Sequence, residues 1–197
     1  MGFTSAVKRL AVVAALALGM SAAPALAAGP AVILVVDTQG VFAQSKAGQS
    51  IRNQYEEQMK KLVAEGKKTE EGIQADAKKL AEERPLLSQD DLQKRAEALQ
   101  KRGVEFQQSY QKKQSALQLG LQRAENRVEA TLRPIFAEIL KEKGATILFD
   151  QAVVLAGGAD MDISAEVLKR LNERLPTVEV KPLTDAEIQA MQKANGQ

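Results

Sequence analysis

The sequence predicts an α+β protein that is mostly α, with a long antiparallel coiled-coil hairpin projecting from a small β body that several copies complete. Three observations predict it. From residue 45 to 143 the chain is dominated by Gln, Glu, Lys, Arg, Ala and Leu, which are strong helix formers. Apolar residues in that stretch recur in steps of three and four, the spacing of a coiled-coil seam. Short β-branched runs flank it on both sides, too short to bury a core of their own.

The chain opens with Lys8 and Arg9, an apolar run from Leu10 to Met20, and Ala25, Leu26, Ala27. A charged start, a short apolar segment and an A-x-A site make residues 1–27 an export signal cleaved after Ala27. The apolar run is shorter than a membrane span needs. No Cys follows it, so a lipid anchor is not expected. The next run, holding Val32, Ile33, Leu34 and Val35, reads as a buried strand. Asp37 or Thr38 then caps a helical turn containing Val41 and Phe42. Beyond it two readings stay open: a break within 45–48 before a long helix, or one helix running on from about residue 38.

The long stretch divides in two. Its first half carries Ile51, Tyr55, Met59, Leu62, Gly66, Ile73 and Leu80 on one face. Its second half carries Leu92, Ala96, Leu99, Gly103, Phe106 and Tyr110, then a stutter, then Leu117, Leu121, Ala124, Val128, Leu132, Ile135 and Ile139. Pro85 ends the first helix, and Ser88 or Asp90 caps the second, so the tip lies near 85–90. Each arm then reaches roughly 50–75 Å at 1.5 Å per residue. Gly66, Gly72, Gly103 and Gly120 each cost about 1 kcal/mol in a helix interior, either as points of bending or as sites of close helix approach. Pro134 should kink the return helix near its base and act as a hinge.

Gly144 stops the return helix. A strand containing Ile147, Leu148 and Phe149 comes next, then a turn at Asp150, and a second strand through Val153, Val154 and Leu155. Ser164 caps a helix with Val167, Leu168, Leu171 and Leu175 on one face, and Pro176 ends it. The body is therefore assigned to 28–44 and 144–175, the arm to 45–143, and a polar, loose tail to 176–197, with a capping box at Thr184 and Glu187. About three strands and one helix bury little surface, and open strand edges seek partners, so a homo-oligomer sharing this body is expected. Val32, Ile33, Leu34, Val35, Ile147, Leu148, Phe149, Val153, Val154 and Leu155 would form the shared part.

The chemistry excluded is as informative. The sequence has no His, Cys or Trp, which removes the commonest nucleophile–base pairs and zinc sites, and no phosphate-binding glycine motif occurs. No cofactor and no enzymatic activity are expected. Asp160 and Asp162 read as a loop and a helix start rather than a metal pair. After loss of Lys8 and Arg9 the chain carries 25 basic and 25 acidic residues, a balance that argues against nucleic-acid binding. The arm is mildly positive, and from Phe106 to Ala124 it holds Lys112, Lys113 and Arg123 with no acid. Tyr55, Met59, Phe106, Tyr110, Lys112, Lys113 and Leu117 are the candidate contacts for a partner along the arm. Such a face suits weak binding of unfolded chains and contact with an anionic membrane surface.

Taken together, the signal peptide, the strand ending at Asp37, Val41 with Phe42, the charged hairpin, and the two stretches Ile147–Leu155 and Asp162–Leu168 resemble the Skp/OmpH family of periplasmic chaperones. The resemblance covers the mature chain up to Leu175, and its most specific part is the strand–turn–strand with its succeeding helix. It implies a homotrimer with a shared β body and three helical arms around a cavity. It implies an ATP-independent holdase that keeps unfolded outer-membrane β-barrel proteins from aggregating in the periplasm. The chain departs from the family in its neutral charge and in its tail beyond Leu175, and the family's lipopolysaccharide-binding cluster has no counterpart to carry over. The rival reading is a coiled-coil structural adaptor of an envelope complex, which would require larger β domains than these flanks supply.

Overall fold

The structure is a computed structural model and describes residues 31–195. The expected leader and its cleavage after Ala27 lie outside those residues. Strand β1 is Ile33–Val36. The Asp37 carboxylate accepts the Gly40 amide at 2.7 Å and starts helix α1, Thr38–Gln44. The chain then breaks at one residue. Ser45 is extended and fully buried. Its hydroxyl donates to the Phe42 carbonyl at 2.8 Å and accepts the Gly48 amide at 2.9 Å. One side chain thus ends α1 and caps α2, Lys46–Glu83. Gly48 is required beside it, because a Cβ there would fall 2.9 Å from the Phe42 carbonyl carbon.

Helix α2 ends in a 3-10 turn over Arg84–Leu86, with Pro85 inside it. Ser88 accepts the Asp91 amide and caps helix α3, Gln89–Glu142, whose first turn holds Asp90 and Asp91. At 1.5 Å per residue the two helices run about 57 and about 81 Å. Pro134 lies on the exposed side of α3, and the helix continues through it without interruption. Gly144 closes α3 at φ +61°, with the Ala145 amide on the Leu140 carbonyl and the Gly144 amide on the Lys141 carbonyl. That pair of bonds is a Schellman cap.

Strand β2, Ile147–Asp150, lies parallel to β1, with Ile33 opposite Ile147 and Val35 opposite Phe149. Parallel neighbours need a long crossover, and here the entire hairpin is that crossover. A single bridge from Val35 to Asp162 extends the sheet on the other side, where the Ile163 amide donates to the Val35 carbonyl at 2.9 Å.

The second strand expected over Val153, Val154 and Leu155 does not form in the single chain. The Asp150 carboxylate accepts the Ala152 amide at 2.8 Å, which turns the chain at once into a 3-10 turn, Gln151–Val153. Among the described residues no strand pairs with Val154 or Leu155. Ser164 is likewise not the cap of its helix, α4, Ser164–Arg174. Its amide and its hydroxyl both donate to one Asp162 oxygen, at 2.8 and 2.6 Å, while the cap position falls to Ile163, whose side chain makes no capping bond. The Ser164 oxygen instead accepts the Asp37 amide at 2.8 Å and ties α4 to the end of β1.

The core sits where the roots of α2 and α3 meet α4 and β1. Ile51, Val128, Ile135, Ile139, Val167 and Leu171 are among its fully buried side chains. From residue 67 to 115 no side chain is buried, and the distal seam of Ile73, Leu80, Leu92, Leu99 and Phe106 is only half covered. The tail expected to be loose is not loose. Val180 and Leu183 are buried against the arm, and α5, Asp185–Asn195, comes after them. The segment is polar on average, but its few apolar residues, Val178, Val180 and Leu183, turn toward the arm and dock it.

Candidate functional site

Two surfaces stand out. The first is the outward face of the sheet. In a parallel pair, opposed residues share a face, so Ile33 and Ile147 lie together, and Val35 lies with Phe149. Ile33 is 37% exposed, Ile147 45% and Phe149 40%; Val32 beside them is 42%. Val153 at 71% and Leu155 at 105% continue the apolar surface beyond the strand. Of the other residues expected there, Leu34 and Val35 are buried and Leu148 and Val154 half-buried. Leu34 and Leu148 fasten the sheet to the helices, while the exposed members form a free patch along an unpaired strand edge.

The second surface runs along the arm. Tyr55 and Met59 are half-buried and pack on the core rather than away from it. Phe106 and Tyr110 stack obliquely with ring centroids 6.0 Å apart. Tyr110 leans over Gly66, where an added Cβ would meet its ring at 2.6 Å. Gly66 is therefore a close-approach site, whereas Gly103 faces open space. Lys113 reaches Glu65 at 3.3 Å across the hairpin, and Lys112 reaches Asp185 of α5 at 2.6 Å. Leu117 departs from its expected role as an exposed contact. It is buried, because the tail crosses over it.

An ion cluster fixes the arm to the body. Arg170 on α4 bonds Glu142 on α3 and Glu166 on its own helix, Arg174 bonds Glu138, and Lys143 meets Glu166 at 3.0 Å. Hydrogen bonds from Arg174, Arg170 and Lys143 hold the carboxyls of Glu138, Glu142 and Glu166, respectively, below their ordinary range. The Arg170 guanidinium is raised in turn, mainly by Glu142. Arg170 is mostly covered while Glu138, Glu142, Lys143 and Arg174 stay partly open to water, so solvent screens the outer pairs and the cluster's main effect is to orient α4 on α3. Asp162, spent on Ser164, is depressed by that hydroxyl. Among the described residues no group of acids is arranged to hold a metal, and no helix is long and apolar enough to cross a membrane.

The sequence profile of the family described as outer membrane protein (OmpH-like) matches residues 32–171, which spans the sheet, both arms and nearly all of α4. No curated protein matches the chain closely enough to count as a relative. Among solved structures the fold is similar to a crystal structure from Caulobacter crescentus CB15, provisionally described as an outer membrane chaperone (OmpH-like). The TM-score is 0.74 at 20% identity, over 80% of this chain and 94% of that one. At that identity the likeness speaks of fold, and it is the profile match that places the sequence. A parallel strand pair joined by a helical hairpin and closed by α4 is thus the architecture of a protein that belongs to the OmpH-like outer membrane protein family.

Proposed function

We propose that this protein is an ATP-independent holdase of the periplasm, exported by residues 1–27 and cleaved after Ala27. Three copies share a body made of 28–44 and 144–175, and the arms of 45–143 surround unfolded outer-membrane β-barrel proteins. The observation that carries the reading is the exposed apolar face of Ile33, Ile147, Phe149, Val153 and Leu155 beside an unpaired strand edge. Contiguous apolar surface on a strand edge is what neighbouring copies would cover. The arms fit the second half of the reading. Without buried side chains from 67 to 115 they are held by many shallow contacts, so they can adjust to clients of different shape. Phe106, Tyr110 and Lys113 offer such clients a mildly positive, lightly apolar surface. Pro134, which withholds one backbone bond near the base, gives the arm a place to pivot.

The test is dilution of a urea-unfolded outer-membrane β-barrel protein into buffer containing the mature chain. The client stays soluble in proportion to the chain added; precipitation undiminished at excess chain rejects the proposal. A second reading rests on Leu86, 87% exposed at the hairpin tip. An envelope adaptor would dock there. Deleting residues 80–93 abolishes an adaptor's function but leaves a holdase partly active.

A further inference from the structure

The segment between α4 and α5 lies extended across the roots of both arms. Its side chains alternate: Val178 and Val180 face inward, while Glu179 and Lys181 face water. The contacts that hold it are directed at its backbone. The Gln54 amide donates to the Val178 carbonyl at 2.8 Å and accepts the Val180 amide at 3.1 Å. Gln58 donates to the Val180 carbonyl at 2.6 Å. From the other arm the Ala116 carbonyl accepts the Leu183 amide at 3.0 Å. Gly120 lets the segment cross, since a Cβ there would fall 2.8 Å from the Lys181 carbonyl carbon. Next to the crossing, an open groove of about 520 Å³ lies beside the segment, with Leu62, Leu117 and Leu183 on its apolar part and Lys61, Glu65 and Lys113 among its charged rim.

We propose that this groove is a binding site for extended polypeptide, and that the chain's own tail occupies it as an internal stand-in. Amide side chains that grip main-chain atoms accept any sequence, and the two inward positions, those of Val178 and Val180, ask only for apolar residues two apart. That is the pattern of an outer-membrane barrel strand, which alternates apolar and polar over about ten residues. The unfilled part of the groove accommodates side chains larger than the tail's valines and leucine. The tail is also releasable. Beyond Leu183 it is anchored by Lys112 with Asp185 and Arg123 with Glu187, pairs whose side chains are all at least 43% exposed and therefore weak. A client strand then competes with the tail for one site. This inference rests on the holdase reading and assigns it a location.

The probe is a fluorescein-labelled nonamer alternating valine with lysine and threonine, titrated by anisotropy. A chain ending at Leu175 binds it at least tenfold more tightly than the full chain does. Gln54→Ala with Gln58→Ala in the shortened chain removes most of that gain. If the shortened chain does not fold, Gly120→Ala in the full chain carries the test: an alanine favours the helix but displaces the crossing segment. Hydrogen exchange at the Val180 and Leu183 amides then quickens and the peptide binds more tightly. Equal affinity of the full chain and a folded shortened chain overturns the inference, as does faster exchange in Gly120→Ala without tighter binding. Client solubility measured alongside separates the two claims: a full chain that protects clients while its groove takes no peptide sinks only the groove, and loss of protection by every form sinks the holdase.

Discussion

Removing the Leu171 side chain should cost the protein several times what removing Leu99 costs, because the two leucines sit in different kinds of packing. Leu171 is fully enclosed between α4 and the roots of the arms. Leu99 lies on the distal seam and is only half covered. A Leu→Ala change at an enclosed site forfeits transfer free energy and leaves a cavity, together about 3 kcal/mol. At Leu99 half the apolar area is already wet and solvent fills any gap, so the loss is about 1 kcal/mol. The difference of about 2 kcal/mol corresponds to a separation of about 1 M in urea midpoint, at a slope near 2 kcal/mol per M. The assay is urea unfolding followed by circular dichroism at one fixed protein concentration, since any self-association would couple stability to concentration. Native-state hydrogen exchange adds the spatial half: amides in 70–110 should open long before those of α4. Equal midpoints for the two variants, or a distal arm as protected as α4, refutes the claim that stability resides at the root and compliance in the arm.

Other contacts lead to further expected outcomes. Gly103→Ala, at a position facing open space, stabilises the arm by up to about 1 kcal/mol, whereas Gly48→Ala destabilises despite the same gain in helix propensity, because its Cβ meets the Phe42 carbonyl; thermal unfolding of both reads the opposite signs. Glu187 is held down to about 2 by the Thr184 amide and hydroxyl and by Arg123. A carboxyl depressed on folding lends stability above its ordinary value near 4.5 and loses it as the pH falls toward the folded one, so the Thr184 amide resonance should titrate near pH 2, and a midpoint near 4.5 denies the capping box. Glu138, Glu142 and Glu166 are depressed in the same direction, so the mutual orientation of α3 and α4 loosens on acidification below about pH 4.5, seen as faster exchange at the α4 amides. Phe149→Asp places a charge on the exposed sheet face and lowers the sedimentation coefficient while leaving the helical signal intact.

Much of this architecture was legible in the residues because single side chains announce it. Asp37, Pro85, Ser88 and Gly144 each perform the local task their chemistry suits, and the 3–4 spacing drew the hairpin directly. The break at Ser45 stayed ambiguous because serine is tolerated inside a helix, and only burial of its hydroxyl between Phe42 and Gly48 decides the matter. The run Val153, Val154, Leu155 misled for a different reason: β propensity describes a residue's preference for a sheet neighbour, and this chain offers it none. At Ser164 the cap position fell one residue earlier, to Ile163, because the serine was drawn into bonds with Asp162 and with the Asp37 amide. The tail was hidden by averaging. A polar composition concealed Val178, Val180 and Leu183, and the signal that could have revealed them was the alternation of Val178 with Val180, followed by Leu183 next to an intact capping box, opposite glutamines spaced four apart on α2. Leu117 was misplaced with it, since the tail is what covers that side chain.

The central claim is that the sheet of one copy is unfinished and that its siblings finish it. Sedimentation equilibrium of the chain from residue 28 onward, at micromolar concentration, measures this without reference to any client. The expected mass is that of three chains, reduced toward one by Phe149→Asp. A folded, monodisperse single chain across that range, with Ile33, Ile147 and Phe149 still open to solvent, contradicts it.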